Sequence, residues 1–286
     1  MSRGALRLGA AVTLVLLLIT TLDVAAQGPA LFPSENLMDL AGPARRFGDM
    51  NQDGLADLVA WMWAGYPDSI VRVALANEQG SFDPYLDVLA SVEYLDLDVA
   101  DLDADGWPDL VAAKLNGFLR RINLGGGVLG PELPVGVGST PLSKMALADL
   151  DGDGWQDIIA GNLGQGVILI KGTGPGAFGV PVLVPLDTHI SVLEIADLDL
   201  DGDLDVAVSQ PAPNLVAVML AQPDGYLGTA GYTVQAGTAD SMTLADLDES
   251  GLPELLTVES DPPVGSTVGS LYRAEADGIG ASCQRI

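Results

Sequence analysis

Cysteine is almost missing from this chain. Its single copy, Cys283, excludes an intrachain disulfide and leaves one thiol near the C-terminal end. Lysine occurs only as Lys114, Lys144 and Lys171, and the formal net charge is -27. Such a chain does not bind nucleic acid through phosphate neutralisation, which needs clustered lysine and arginine. The one histidine, His189, reads as a surface turn residue ahead of an acidic loop rather than as a general base. Aromatic residues amount to 5%, too few for a sugar-stacking platform in every part of the chain. No Asn-x-Ser/Thr acceptor is present. No nucleophile elbow, zinc-ligand spacing or phosphate loop appears, so no catalytic function is read.

Hydrophobic residues make up 48% of the chain and charged residues 18%, enough apolar material for a substantial core. The acid sits in discrete loops between apolar runs, unlike a disordered acidic polymer. The N-terminus reads as a targeting segment. Arg3 and Arg7 precede an apolar run from Ala10 to Ile19, and Val24-Ala25-Ala26 offers small residues before a cut ahead of Gln27. The apolar run is shorter than the ~20 residues that a membrane span needs. Residues 1–26 are thus expected to be a signal peptide, and residues 27–286 a single exported domain, extracellular or periplasmic, with no membrane span after cleavage.

What dominates the sequence is one acidic loop written five times. The copies start at Asp49, Asp101, Asp149, Asp197 and Asp246, and read DMNQDGLAD, DLDADGWPD, DLDGDGWQD, DLDLDGDLD and DLDESGLPE. The spacing stays within 48–52 residues, a period that marks solenoids and propellers. Short runs rich in Val, Ile and Leu, cut by glycine clusters, flank every loop and read as strands. Second strands fall at Leu58–Met62, Leu110–Ala113, Ile158–Ala160, Val206–Val208 and Leu255–Val258. Third strands fall at Val71–Ala76, Phe118–Ile122, Val167–Ile170, Val216–Leu220 and Gly269–Arg273. Four strands per period predict an all-β fold: a β-propeller of five four-stranded blades. The last copy runs short at Ser282–Ile286, whereas Leu31–Phe47 resembles the outer-strand segment Phe178–Ile195. The ring is therefore expected to close by pairing of the N-terminal strand with the last blade, which hides an exposed edge.

The loop chemistry points to a hard dication. Ca²⁺ takes six to eight oxygens from a short, flexible loop. The first, third, fifth and ninth residues supply side-chain oxygens: Asp49, Asn51, Asp53 and Asp57; Asp101, Asp103, Asp105 and Asp109; Asp149, Asp151, Asp153 and Asp157; Asp197, Asp199, Asp201 and Asp205. The seventh residue, Leu55, Trp107, Trp155 or Asp203, offers a backbone carbonyl, and glycine at the sixth allows the sharp turn. The fifth copy has Ser250 for the third acid of the series and Glu254 at the ninth position, and is expected to bind poorly or not at all. About four Ca²⁺ sites are expected. An EF-hand is excluded because its twelfth-position acid is replaced by Ala60, Ala112, Ala160 and Val208.

These loops resemble the VCBS and FG-GAP repeats of bacterial secreted proteins and of integrin α-subunit propellers, from about Leu31 to the C-terminus. The resemblance implies a loop between two blade strands that binds Ca²⁺ structurally. It is nearer the VCBS side, since no Gly-Ala-Pro element is present and five repeats are read against seven integrin blades.

The expected function is a monomeric, non-enzymatic module for protein interaction, adhesion or scaffolding, with a lectin-like glycan-binding propeller as the alternative and a carbohydrate-active lyase or hydrolase behind it. Trp61 and Trp63 alternate at a strand end and face one way. They offer a sugar platform, though packing within the first repeat explains them more simply. Arg45-Arg46 and Arg120-Arg121 are read as neutralising nearby acids.

Overall fold

The computed structural model describes residues 44–285, apart from 66–67, 137–141, 163, 187–188, 211–214, 223, 229–231, 236–238, 247–252, 262–265 and 276–277. The expected signal peptide lies outside the described residues, as does the segment 31–43 that was to supply an outer strand.

Among the described residues the chain is all-β, built from small antiparallel sheets. The first sheet holds β1 (Ala44–Gly48), β2 (Asp57–Gly65), β3 (Asp68–Ala76) and β4 (Phe82–Ala90). The second holds β5 (Asp96–Ala100), β6 (Asp109–Lys114), β7 (Gly117–Arg121) and β8 (Leu133–Val135). The third holds β9 (Leu142–Ala148), β10 (Asp157–Asn162) and β11 (Gly166–Ile170). A small hairpin of β12 (Gly172–Gly174) and β13 (Ala177–Phe178) intervenes before its outer strand, β14 (Val182–Pro185). The fourth holds β15 (Val192–Ala196), β16 (Asp205–Gln210), β17 (Leu215–Met219) and β18 (Tyr232–Gln235). The fifth holds β19 (Ala239–Ala245), β20 (Glu254–Asp261), β21 (Ser266–Glu275) and β22 (Gly278–Arg285). In each sheet the strands lie in chain order.

The second strands explain why the apolar runs are continuous rather than alternating. Every residue of β10 and of β16 is buried, because both faces of these strands are covered. Val111 and Ala113 pack with Leu142, Met145 and Ile158 of the third sheet, while Ala112 between them packs with Val59, Trp61 and Val71 of the first. The third and fourth sheets share a core of Ile159, Leu169, Val206 and Val208, and the fourth and fifth share Val216, Val218, Met242 and Leu255. The outer strand β4 is mostly exposed. At Gly166, where the chain turns into β11, φ is 125° and an added Cβ would lie 2.1 Å from the Val184 carbonyl oxygen. No residue but glycine fits there.

The first strands of successive sheets stand side by side: β1 by β5, β5 by β9, β9 by β15 and β15 by β19. One cavity of about 480 Å³ is lined from all five, by Arg46, Asp96, Lys144, Glu194 and Met242 among others. Arg46 ties three of these strands together. It pairs with Asp96 (3.5 Å) and Asp98 (3.3 Å) and donates to the Met145 carbonyl. The two acids accept in turn from the Met145 and Leu147 amides. Arg121 does similar work between the first two sheets, bonding Glu132, Gly130 and Leu89. Both basic pairs thus contribute an arginine that neutralises an acid, as read from sequence.

The C-terminal end departs from expectation. The last sheet has a fourth strand of its own, β22, paired with β21. Its sequence, GIGASCQR, lacks the branched apolar run that would announce a strand. Ala44–Gly48, the end of the N-terminal segment expected to complete the last blade, is instead β1 and pairs with β2. Phe47-Gly48 runs straight into the Asp49 loop, as Leu147-Ala148 runs into Asp149, which makes it a first strand.

Candidate metal centre

Each acidic loop joins the first strand of a sheet to the second. Four of them share one backbone path. The fourth residue has positive φ (Gln52 58°, Ala104 63°, Gly152 68°, Leu200 61°), and so does the sixth (Gly54 85°, Gly106 91°, Gly154 90°, Gly202 99°). Sequence reading found the sixth position by its glycine. It missed the fourth, where three of the four residues carry a side chain into a conformation that costs them about 1–2 kcal/mol.

The carboxylates hold this path in place. The sixth-position amide donates to the first aspartate: Gly54 to Asp49, Gly106 to Asp101, Gly154 to Asp149 and Gly202 to Asp197, at 2.8–3.1 Å. The fifth acid accepts from the seventh amide: Leu55 to Asp53, Trp107 to Asp105, Trp155 to Asp153 and Asp203 to Asp201. Those fifth acids are exposed and brace a turn. The ninth aspartate is buried, and both of its oxygens are engaged. Oδ2 accepts from the second residue of the loop: Met50 to Asp57, Leu102 to Asp109, Leu150 to Asp157 and Leu198 to Asp205. Oδ1 accepts from the exit of the third strand: from Ala76, the last residue of β3, and from Asn123, Gly172 and Ala221, each two residues past its strand, at 2.7–2.8 Å.

Three loops gather acids into tight groups: Asp101, Asp103 and Asp109; Asp149, Asp151 and Asp157; Asp197, Asp199 and Asp205. In each, one carboxylate oxygen per residue lies within 4.8 Å of the others. Two oxygens sharing a Ca²⁺ at ~2.4 Å can stand at most about 4.8 Å apart, so the spans fit one ion. A second observation agrees. Asp101 Oδ1 and Asp197 Oδ1 are buried and accept no hydrogen bond, an arrangement that costs free energy unless a cation completes it. Burial pushes the Asp109, Asp157 and Asp205 carboxyls up to about 6, against the opposing backbone hydrogen bonds, and the neighbouring acids add to the rise. The residues present can chelate a cation.

The remaining expected ligands divide. The first loop places Asp49, Asn51 and Asp57 on the same path, but Asn51 donates its amide to Asp53 (2.9 Å) and no acid triad forms there. The fifth acids are not among the grouped triads. Most of the loop at Asp246 lies outside the described residues, though Glu254 opens β20 in the register of the ninth aspartates. Trp107 lies against Gly125 in the turn after β7, about 3.7 Å from the site of its missing Cβ. Trp61 is fully buried in the core between the first two sheets and is no sugar platform; the side chain of Trp63 lies outside the described residues. His189 is exposed between β14 and β15. The described residues bring together no catalytic constellation: the grouped acids all belong to repeated loops. No helix among them is long and apolar enough to cross a membrane.

Two groups had no signal in the sequence. Glu194, on β15, lines the cavity formed by the first strands, and burial raises its carboxyl to about 7 against the pull of Arg46. Lys171, just after β11, reaches Asp151 (2.8 Å) and the ring of Tyr226 (4.4 Å). Each is visible only once separate repeats are placed together.

Two outcomes follow from this geometry. Asp109→Asn leaves one acceptor for two buried amides, those of Leu102 and Asn123. It should lower the unfolding free energy in chelator by about 1–3 kcal/mol, measured by urea denaturation at pH 7.5. For Glu194 the folded carboxyl holds its proton to about 7 and the unfolded one to 4.5. The folded state binds more protons across that window, so stability falls as pH rises through it. Glu194→Gln should therefore match the parent Tm near pH 4.5 and exceed it at pH 8. A gap that does not widen with pH would refute the assignment.

Comparison with known proteins places this geometry. The FG-GAP-like repeat matches residues 49–112 and 123–208, which contain the first four loops. No curated protein matches the sequence. Among solved structures, an Agrocybe aegerita lectin that recognises non-reducing terminal N-acetylglucosamine is similar, with 21% identity and a TM-score of 0.60, covering 86% of this chain and 66% of the lectin. The V. cholerae biofilm matrix protein Bap1 is similar at 22% identity and a TM-score of 0.52, covering 86% of this chain and 39% of that one. The chain thus spans just under two thirds of the lectin and well under half of the biofilm protein. These likenesses concern the fold. The repeated loops and the extent of the match are sufficient for membership: this chain belongs to the FG-GAP-like repeat family.

Proposed function

We propose that the chain is an exported five-bladed β-propeller, held in register by Ca²⁺ in its acidic loops, that binds glycans. The observation that carries the cation is the recurrence of one carboxylate geometry in three loops, with buried unpartnered oxygens in two of them. The cavity lined by the first strands of all five sheets supports ring closure without an N-terminal outer strand. The ions act structurally, so their binding free energy is folding free energy. Of the partners open to such a module, a glycan has the better support, because the fold is shared with a lectin.

A surface grouping of suitable chemistry exists on the first sheet. Arg72 forms a two-bond fork with Asp87, both bonds 2.7 Å, and its guanidinium stacks over the Tyr85 ring at 4.7 Å. An aromatic face beside fixed polar groups is what a pyranose requires. A second reading, assembly with other exported proteins, draws on the likeness to a biofilm matrix protein.

Saturating Ca²⁺ should raise the Tm of the purified protein above its value in chelator, with a stabilisation of about 2.7 kcal/mol per site at a hundredfold excess over Kd. An unchanged Tm would refute the structural-ion reading. On a glycan array the protein should bind one class of terminal sugar in Ca²⁺, with loss in chelator and with Tyr85→Ala. Binding to no glycan, in a protein whose Tm does respond to Ca²⁺, would leave the assembly reading.

A further inference from the structure

The third loop, DLDGDGWQD, meets the Ca²⁺ pattern at every position, and it is the loop that the structure treats differently. The ninth aspartate of each loop accepts from Ala76, Asn123, Gly172 or Ala221. The residues immediately before these amides are Leu75, Ile122, Lys171 and Leu220. Three are apolar, and Leu75 and Leu220 pack against the cores beneath their loops. The third repeat alone among these four puts an ammonium there. Lys171 Nζ lies 2.8 Å from Asp151 Oδ2, and Asp151 is one of the three acids that share the candidate ion position. The side chains of both are mostly buried, at 19% and 18% exposure, so water screens the pair only in part. The same Nζ donates to the Asp224 carbonyl and sits over the Tyr226 ring. Both belong to the turn after β17, in the next repeat. By register the fifth repeat also has a basic residue here. Leu255 pairs with Tyr272 as Ile158 pairs with Ile170, which sets Arg273 at the position of Lys171, and that repeat has the degenerate loop.

We propose that the Lys171 ammonium is a tethered cation that stands in for Ca²⁺ in the third loop, so that this loop binds the ion more weakly than those at Asp101 and Asp197. The inference rests on the Ca²⁺ reading above. Like charges at such range repel, so an entering ion must drive the ammonium off Asp151. That movement also releases Asp224 and Tyr226, so ion entry in the third loop competes with a contact between repeats. The loops are thereby of two kinds: ion-held, and held by the chain's own cation.

Two tryptophans allow the loops to be read separately. Trp107 and Trp155 occupy the seventh position of the second and third loops, close enough to sensitise emission from Tb³⁺ bound there. Tb³⁺ titrations of the full purified chain would use the parent, Trp107→Phe, Trp155→Phe, Lys171→Leu and Lys171→Gln. Circular dichroism would check that each variant is folded, and the two lysine variants guard against failure of either. At low Tb³⁺ the parent's emission should vanish with Trp107→Phe and persist with Trp155→Phe. Either lysine variant should add a Trp155-dependent phase with an affinity at least about tenfold tighter than the parent's third loop. Equal affinities of the two loops in the parent would overturn the proposal, as would lysine variants that leave the Trp155 phase unchanged. In both cases Trp107 emission leaves the Ca²⁺ reading standing. No sensitised emission from either tryptophan, with no change of Tm in Ca²⁺, would remove both.

Discussion

The buried ninth aspartate is the joint on which each repeat turns. One oxygen of Asp57, Asp109, Asp157 or Asp205 holds the amide at the second position of its loop, and the other holds an amide at the exit of the third strand. A single side chain thereby fixes the start of the second strand, the loop before it and the exit from the strand beyond. Charge-assisted bonds to backbone amides are the strong kind, and they are needed here because the carboxylate itself is costly to bury. The two effects oppose one another, and burial wins: the Asp109, Asp157 and Asp205 carboxyls rise to about 6. The loop is pre-shaped but electrostatically strained, the condition in which a cation adds most.

The same loops also register one repeat against the next. Asn123, beyond the third strand of the second sheet, donates to the Met50 carbonyl in the first loop. Gly176, in the third repeat, donates to the Leu102 carbonyl in the second loop. Lys171 links the third loop to Asp224 in the fourth repeat. At the inner edge the Arg46 network does the corresponding work between first strands. The apolar cores lie between these two rims, shared by adjacent sheets. A sheet of four short strands cannot bury both of its faces alone, so stability comes from the stacking of neighbours.

How much of this is legible in the sequence depends on range. The apolar centres of the second strands were readable, because they carry unbroken branched apolar runs, as in Ile158-Ile159-Ala160, although each strand extends past its run, here to Asp157–Asn162. The acids of the loops were readable because their order along the chain is their order around the turn. β22 was not, since pairing with β21 places it and its own side chains announce nothing. Trp61 was ambiguous for a related reason: alternation along a strand says which residues share a face, not what covers that face. Asp96, Glu194 and Lys171 gave no sign in the sequence of what they would meet. Their partners, Arg46, the cavity and Asp151, lie in other repeats or across a loop, and the repeat period does not pair them.

Composition gains a physical meaning from these contacts. A chain with net charge -27 and few lysines folds against its own repulsion unless cations enter or its few basic groups are well placed. Four basic residues are so placed: Arg46 on Asp96 and Asp98, Arg72 on Asp87, Arg121 on Glu132 and Lys171 on Asp151. Each answers acids outside the loop triads except Lys171. The loops are therefore left with an uncompensated surplus, concentrated at fixed points by the hydrogen bonds of their own backbone. Screening by salt relieves it only in part, because the ninth aspartate of each triad is buried. A bound dication can, and the one loop with an internal ammonium needs it least.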